Sequence, residues 1–324
     1  MTIGIKSYKR YVTGFIVAMA MGATANTVKV TKFHQSYPYS GKATIEYTVS
    51  GELPANAAAE IVLNTDDASA TFTQKNIVAG ANRYVIDFAS SFGGALVLTN
   101  ASFVITITKD LGGVQLWENG PYWAECNVGA TKPEEYGYYF WWGDTVGYKP
   151  SGGMLNDYYY YDVTWVSSKG ERMTNSPFTK SSCPTCGKSS SALLSAGYID
   201  STGNLAPEHD AATVHLGSPW RMPTNDEIGA LINNCTTTWT TKNGVYGRLI
   251  TGKGTYSDKS IFLPAAGSGL DSSLYYAGSR GYYWSSAPDS DDACCLYFKS
   301  GDFRQYGDYR YFGQSVRPIR EFAK

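Results

Sequence analysis

The cysteines of this chain give the first test of whether the sequence carries redox or metal chemistry. Cys183 and Cys186 form a CxxC pair, a spacing found in thiol oxidoreductases and in zinc sites. A second CxxC is absent, and the serine-rich flanks are typical of a loop. Because the pair lacks the other half of a four-cysteine zinc site, we expect a local disulfide that closes a loop. The pairing of the other four cysteines stays open: Cys126, Cys235, Cys294 and Cys295.

Two histidines lie close to an acidic residue, which suggests metal binding. His209, Asp210 and His215 are near one another in sequence, but their spacing matches none of the common zinc signatures. We expect these residues to belong to a loop that packs beside Trp220. The third histidine, His34, is expected on the surface.

Carboxylates occur in two further places where they could support chemistry. The glutamates at 134–135 and Asp144 lie near aromatic residues, but a glycosidase needs two carboxylates facing each other across a cleft. Asp289, Asp291 and Asp292 could contribute to a calcium site, although calcium takes roughly six or more oxygen ligands. We expect a solvated loop there, with a bound calcium ion as the alternative.

Motifs of the familiar enzyme classes are absent from the chain. It has no GxSxG nucleophile turn, no HExxH zinc motif, no P-loop and no GxGxxG nucleotide fingerprint. We therefore predict no catalytic residue, no bound metal and no required cofactor.

The stretch 287–312 is distinctive because tyrosine, aspartate, serine, glycine and arginine dominate it. Recognition loops use the same residues, since tyrosine supplies a large amphipathic contact area and the small polar residues adapt their hydrogen bonds. Arg310 is expected to join the tyrosines in a surface that resembles a binding hot spot. The candidate ligand-binding residues are Trp284, Asp289, Asp291, Asp292, Tyr297, Asp302, Arg304, Tyr306, Asp308, Tyr309, Tyr311 and Phe312.

Several large residues have simpler interpretations. Trp220, Phe262 and Trp284 are expected in the core, so Trp284 is a candidate for both roles. Arg221 and Arg317 are expected to anchor turns through forked hydrogen bonds to backbone or carboxylate oxygens.

Composition and charge limit the classes of partner. The 324 residues carry a net charge of −1, with an isoelectric point near 6.3, which argues against nucleic-acid binding because that needs a basic surface. Hydrophobic residues make up 43% and charged residues only 17%, which suits folded, β-rich, extracellular domains.

The first 25 residues have the pattern of an export signal. Three basic residues precede the apolar segment 11–22, and an Ala-x-Ala sequence follows at 23–25. The apolar segment is short for a bilayer span. We expect cleavage before Asn26, leaving a secreted or cell-surface protein without an integral membrane span.

Two domains are expected after the signal. Residues 26–110 contain about seven short alternating segments, including 43–49, 95–98 and 103–108, which predict an immunoglobulin-like or fibronectin-like β-sandwich. All eight tryptophans lie in residues 111–324, which are expected to form an α+β domain.

The second domain contains one well-marked helix and one long insertion. Thr224 and Glu227 form a capping box at the start of a helix that should end near 233–234. The stretch 150–205, rich in glycine, serine, threonine and tyrosine, is expected to be a surface insertion.

Five ordered motifs of the second domain carry a family resemblance: 210–224, 261–267, 283–286, 296–298 and 315–320. Together they resemble the Fibrobacter-type major paralogous domain, which is related to the C-type-lectin-like fold of formylglycine-generating enzymes. The resemblance implies that fold and an exported location. The place of 287–312 also resembles the variable region of diversity-generating retroelement targets, whose coding DNA has a near-repeat beside a reverse-transcriptase gene.

The resemblance does not carry an activity with it. Cys294 and Cys295 are adjacent, unlike the spaced cysteines of the oxidases, and in a strand they would point to opposite faces. The EPN, QPD and WND motifs of calcium-dependent lectins are absent. Our first hypothesis is a non-enzymatic exported protein that binds a protein or a glycan. The alternatives are a carbohydrate-active or formylglycine-generating-like enzyme and a structural component of a surface appendage.

Overall fold

The structure is a computed structural model that describes residues 27–35, 41–51, 53, 57–64, 69–87, 102–109, 112–155 and 159–321. The predicted signal peptide and the predicted strand at 95–98 lie outside these residues. Within them the chain is mostly β, with a few short helices, and it divides into two compact units at 111/112. In this described part of the chain, none of the helices has the length and apolar character needed to cross a bilayer.

The first unit contains six described strands in two antiparallel sheets, ordered β1-β2-β5 and β4-β3-β6. The strands are β1 (Thr27–Gln35), β2 (Lys42–Ser50), β3 (Ala57–Asn64), β4 (Ser69–Gln74), β5 (Gly80–Asp87) and β6 (Ser102–Lys109). The alternation in β2 buries Ile45, Tyr47 and Val49 on one face. Phe33 of one sheet and Phe103 of the other lie with ring centroids 4.6 Å apart, so the two sheets share one core.

The second unit contains shorter elements. Its helices are α1 (Ser190–Ser195), α2 (Ala211–Leu216) and α3 (Asn225–Asn234), with 3-10 turns at Lys180–Ser182, Pro207–His209 and Gly254–Tyr256. Its strands are β7 (Val114–Gln115), β8 (Tyr122–Trp123), β9 (Tyr148–Ser151), β10 (Met154–Leu155), β11 (Tyr159–Tyr161), β12 (Thr164–Ser167), β13 (Trp220–Arg221), β14 (Thr236–Lys242), β15 (Val245–Thr251), β16 (Ser260–Pro264), β17 (Ser268–Leu270), β18 (Ser273–Tyr275), β19 (Gly281–Asp289), β20 (Asp292–Lys299), β21 (Asp302–Tyr309) and β22 (Ile319–Arg320).

These strands form four sheets of three or four strands and one pair. The orders are β13-β22-β8-β7, β14-β15-β16, β19-β20-β21, β10-β11-β18-β17 and β12-β9. Ile319 near the end of the unit pairs with Trp123 near its start, so the unit closes on itself. The sheet β19-β20-β21 holds most of the predicted ligand-binding residues.

Helix α3 agrees with the sequence prediction in its start, its end and its cap. The Thr224 hydroxyl accepts from the Glu227 amide at 3.2 Å, and the Glu227 carboxylate accepts from the Thr224 amide at 2.8 Å. The capping box is therefore confirmed. Ile228 and Leu231 bury the inner face of the helix, which contacts all three strands of the β19-β20-β21 sheet.

The described part of 150–205 lies largely at the surface, as its composition predicts, but a few of its large residues are buried. Trp165 and Phe178 are buried and pack edge to face with centroids 4.6 Å apart. Leu193 of α1 is also fully buried, in a cluster with Trp142 and Trp284. A few large apolar residues, spaced far apart, thus attach a mostly polar segment to the core.

Candidate functional site

The stretch 287–312 consists mainly of strands, where the sequence predicted loops. Strands β19, β20 and β21 form two successive antiparallel hairpins, and Tyr282, Tyr297 and Arg304 lie side by side across them. In the neighbouring row, Tyr283, Leu296 and Gln305 are cross-strand partners. Because side chains alternate between faces, these two rows define opposite faces of the sheet.

The face that carries Tyr283 and Leu296 is covered. Both residues are 2% exposed and join a core cluster with Ile228 and Leu231 of α3. At the edge strand, the Gln305 amide donates to the Asn225 backbone carbonyl at 2.7 Å. This bond ties β21 to the first residue of α3, so one side of the sheet is fixed against the helix.

The opposite face presents a cluster that we call the Tyr297 group: Tyr282, Tyr297, Arg304 and Tyr306. The Tyr297 ring lies 5.1 Å from Tyr282 and 5.6 Å from Tyr306, measured between centroids. The Arg304 guanidinium lies 5.4 Å from the Tyr297 centroid and 5.3 Å from the Tyr306 centroid. Tyr306 is 43% exposed, whereas Tyr282 and Tyr297 are 8% and 6% exposed. The group is thus a buried aromatic base that carries an exposed tyrosine and an exposed arginine.

A second aromatic cluster, the Tyr309 group, contains Tyr309, Tyr311 and Phe312. The Tyr309 and Tyr311 rings stack at 5.4 Å with only 10° between their planes, and Phe312 meets both rings edge to face. Tyr309 is 54% exposed. Among the described residues no ring contact joins the two groups, so they form two separate patches.

Buried Arg310 holds the β19–β20 turn in place, so it does not belong to the binding surface as predicted. Its side chain is fully buried and donates through Nε to the Asp292 carbonyl at 2.8 Å. Its Nη2 contacts the Ser290 carbonyl, and its Nη1 donates to the carbonyls of Thr185 and Lys188 at 2.7 and 2.9 Å. The guanidinium therefore joins the turn to the loop that contains the CxxC pair.

Arg248 holds the β20–β21 turn in the same way. This residue of β15 is 8% exposed and donates through Nη2 to three carbonyls of the turn, at Lys299, Ser300 and Asp302, over 2.7 to 3.0 Å. Nη1 donates to the Thr237 hydroxyl at 2.6 Å. Both turns of the sheet are thus fixed by a buried guanidinium, which pre-organises the exposed side chains between them.

The two arginines that the sequence predicts as anchors, Arg221 and Arg317, are confirmed in that role. Arg317 is 1% exposed and donates to the Asn127 side chain and to the carbonyls of Ala124, Glu125 and Phe262. Arg221 forms a bidentate pair with Glu227 at 2.7 and 2.8 Å. The predicted core positions of Trp220, Phe262 and Trp284 are also confirmed, at 7%, 2% and 0% exposure.

Asp308 lies beneath the exposed face rather than on it. It is 9% exposed, and its carboxylate accepts from the Gln314 side-chain amide at 2.8 Å and from the Tyr309 backbone amide at 3.0 Å. Burial, reinforced by the charge of Asp292, raises the pKa of Asp308 to about 7. The buried Gln314 Oε1 has no hydrogen-bond partner.

The raised pKa of Asp308 predicts a pH-dependent stability. In the unfolded chain the carboxyl ionises near its ordinary pKa of 3.8, so below about pH 4 it is protonated in both states and has no effect. Between about pH 4 and 7 the Asp308 carboxyl is ionised in the unfolded chain but largely protonated in the folded chain. The free energy of unfolding therefore falls as pH rises through this range. We expect Asp308→Asn to remove a penalty of about 4 kcal/mol at neutral pH, because the folded pKa lies about three units above the unfolded one.

The measurement is the melting temperature of both proteins as a function of pH. The curve of the wild-type chain should fall away from that of Asp308→Asn as pH rises toward 7. Asp291→Asn, changed at an exposed turn, controls for net charge. If the wild type and Asp308→Asn gave parallel curves, burial would not control this carboxyl.

The acidic turn at 289–292 does not form a calcium site among the residues that the structure describes. Asp289 and Asp291 are exposed and Asp292 is half-buried. No group of three metal-ligating side chains converges in the described part of the chain. Burial and the nearby charge of Asp289 raise the pKa of Asp292.

The other candidates for metal or acid–base chemistry have structural roles. Asp210 caps α2, accepting from the Thr213 amide at 2.9 Å, and it also accepts from the Met222 amide at 2.8 Å. His215 lies 3.0 Å from the Thr145 carbonyl, and the His209 ring packs on Tyr198. The packing beside Trp220 agrees with the prediction, since the Trp220 carbonyl accepts from the Thr213 hydroxyl. The predicted loop is instead helical, because His209 ends a 3-10 turn and His215 lies in α2.

The carboxylates that could have served a glycosidase are each engaged in hydrogen bonds within the protein. Glu134 accepts from the Asn243 amide at 2.7 Å, and Glu135 accepts from the Thr131 amide at 2.8 Å. Buried Asp144 accepts from the amides of Val146 and Gly147. Burial raises the pKa of Asp144 to about 6. Glu135 and Asp144 thus close local turns, whereas Glu134 contacts a distant segment of the chain.

A cleft of about 390 Å³ lies beside α2 and α3, and it is lined by Asp200, Asp210, Trp220, Arg221 and Glu321 among others. Its acids also have partners: Asp200 accepts from the Thr202 amide at 2.8 Å, and Glu321 pairs with Arg221 at 3.1 Å. The described carboxylates of this cleft therefore hold turns, a helix start and an ion pair.

The cysteines behave largely as the sequence indicates. The Cys183–Cys186 disulfide is present and confirms the prediction of a local bridge. Cys294 is half-buried and Cys295 is buried, as expected for neighbours on opposite faces of a strand. Burial raises the pKa of the Cys294 thiol to about 11, so it is held in the unreactive protonated form.

The predicted ligand-binding residues divide by exposure. Trp284, Tyr297 and Asp308 are buried, which removes their side chains from the outer surface. The half-buried residues are Asp292, Asp302, Tyr311 and Phe312, and the exposed residues are Asp289, Asp291, Arg304, Tyr306 and Tyr309. Sequence analysis missed Arg248, Arg280 and Tyr282, which adjoin the surface but precede the tyrosine-rich stretch; only the adjacency of the strands reveals them.

Comparisons of the chain with models of protein families, with curated proteins and with solved structures found no match.

Proposed function

We propose that this chain is an exported, non-enzymatic ligand-binding protein that presents Arg304, Tyr306 and Tyr309 to a protein or glycan outside the cytoplasm. The observation that carries the proposal is the combination of exposed aromatic side chains with a rigid support. The sheet is fixed by helix α3 on one face and by Arg248 and Arg310 at its two turns. Such support lowers the entropy cost of binding, because the contact residues are ordered before the ligand arrives.

We further infer an immunoglobulin-like or fibronectin-like sandwich for the first unit and a C-type-lectin-like fold for the second. Two three-stranded antiparallel sheets with a common core support the first assignment. The pairing of β22 with β8, which brings together the two ends of the second unit, supports the other. The resemblance to the Fibrobacter-type major paralogous domain and the diversification of 287–312 by a retroelement stay predictions.

The function is tested with arrays of glycans and extracellular proteins probed with the full chain lacking its predicted signal peptide, with and without a chelator. We expect at least one ligand whose affinity falls roughly tenfold or more in Tyr306→Ala or in the double variant Tyr309→Ala with Tyr311→Ala. Comparing these two variants identifies which patch contacts the ligand. Loss of binding in the chelator would instead support a calcium-dependent site.

The matched control is Tyr246→Ala, which removes an exposed tyrosine from β15, outside this sheet. That variant removes the tyrosine ring that stacks on Trp239 but leaves the proposed surface intact. If ligand binding were equal in the wild type and in both surface variants, the proposed binding surface would be rejected.

A further inference from the structure

The Tyr297 group continues on one side into a second arginine. The Arg280 guanidinium lies 3.7 Å from the Tyr276 ring centroid and interacts electrostatically with the Tyr282 side chain. Tyr282 in turn packs on Tyr297. Arg280 and Arg304 therefore stand on either side of the buried Tyr282–Tyr297 pair. We call this set, Tyr276 and Arg280 with the Tyr297 group, the arginine strip.

The arginine strip carries net positive charge. Arg304 pairs with Asp302, whose Oδ2 lies 3.1 Å from Nε. The nearby carboxyl of Asp308 lies beneath this face, and because burial raises its pKa to about 7, it is only about half ionised at neutral pH. Two guanidiniums thus oppose one fully ionised carboxylate, in a chain whose overall charge is −1.

The chemistry of the strip suits an anion attached to a ring. A guanidinium held over an aromatic ring keeps its edge free to bind a carboxylate or a sulfate through two parallel hydrogen bonds. The exposed Tyr306 ring offers a face on which a sugar can pack and a hydroxyl that can form a hydrogen bond with the sugar.

The shape of the strip favours a polysaccharide over a protein partner. Its central tyrosines are less than a tenth exposed, so its exposed part is narrow and polar. A stable protein interface buries about 800 Å² on each side around a largely apolar centre.

We propose that the arginine strip binds a polysaccharide that carries carboxylate or sulfate groups, with Arg280 and Arg304 contacting the anions and Tyr306 contacting a sugar ring. This inference rests on the proposed binding function and names its ligand class. The guanidiniums supply the charge selectivity, and the tyrosine supplies affinity that does not depend on charge.

The test measures binding of the full chain to two pairs of polymers by biolayer interferometry. Polygalacturonate is compared with its methyl-esterified form, and dextran sulfate with dextran, so that each pair differs in charge alone. We expect at least one charged polymer to bind roughly tenfold more tightly than its neutral counterpart, with affinity falling as salt rises. The two pairs distinguish carboxylate from sulfate.

Variants then locate the contact. Arg280→Gln and Arg304→Gln should each weaken binding of the charged polymer roughly five- to tenfold, because each removes one charge-assisted contact. Arg172→Gln removes an exposed arginine outside the strip and should leave binding unchanged. Thermal melting of each variant checks that folding is preserved.

The outcomes separate this inference from the proposed function. Equal binding of charged and neutral polymers, with loss in Tyr306→Ala, would overturn the anionic ligand and keep the binding function. If a protein ligand bound the wild type but not Tyr306→Ala, and no polymer bound, the anionic ligand would likewise be overturned and the binding function kept. Charged-polymer binding that survives both arginine variants would place the anion site elsewhere and overturn the inference.

Discussion

Replacing Arg310 with methionine is expected to lower the free energy of unfolding of the second unit by about 3–5 kcal/mol. The Arg310 guanidinium satisfies four backbone carbonyls, two from the β19–β20 turn and two from the loop of the Cys183–Cys186 disulfide. Methionine fills similar space but donates no hydrogen bond, so these buried carbonyls would lose their partner. The cost should fall on the turn and on the loop together, because the same side chain joins them.

The measurement is denaturant unfolding followed by tryptophan fluorescence, which reports on the second unit because all eight tryptophans lie there. Hydrogen exchange should also show lost protection in 288–293 and in 183–188. Arg304→Met, at an exposed arginine of the same sheet, is the matched control and should cost less than about 1 kcal/mol. A loss of similar size in both variants would contradict the assigned role of Arg310.

Replacing Trp284 with alanine is expected to cost about 3–5 kcal/mol while leaving ligand affinity of the folded protein unchanged. The indole is fully buried and packs with Trp142 and Cys295. Its Nε1 donates to the Phe140 carbonyl at 2.8 Å, so the variant loses both packing and a buried hydrogen bond. Trp284→Phe keeps part of the packing and should cost less.

The complementary variant is Tyr306→Ala, which should change ligand binding strongly and unfolding little, since its side chain is 43% exposed. Together the two variants distinguish a residue that stabilises the sheet from one that contacts the ligand on the same face. If Trp284→Ala were as stable as the wild type and yet bound ligand poorly, Trp284 would have the contact role that the tyrosine-rich pattern suggested.

The sequence alone determined those features whose physical cause is local. Alternation of apolar residues predicted the strands of the first unit, such as β2 and β6, because a strand with one covered face requires a period of two. The capping box predicted α3 because Thr224 and Glu227 satisfy each other's backbone amides within one turn. The disulfide closes between cysteines only three positions apart.

Tertiary structure alone decided which side chains of 281–312 are exposed and which face the core. The same residue types line both faces of the sheet, and a pattern of tyrosines does not tell which face a helix covers. Arg310 lies among the tyrosines in sequence, yet its partners Thr185 and Lys188 are more than a hundred residues away. Backbone carbonyls carry no sequence signature. The structural role of Arg310 therefore becomes visible only when the distant segments are packed together.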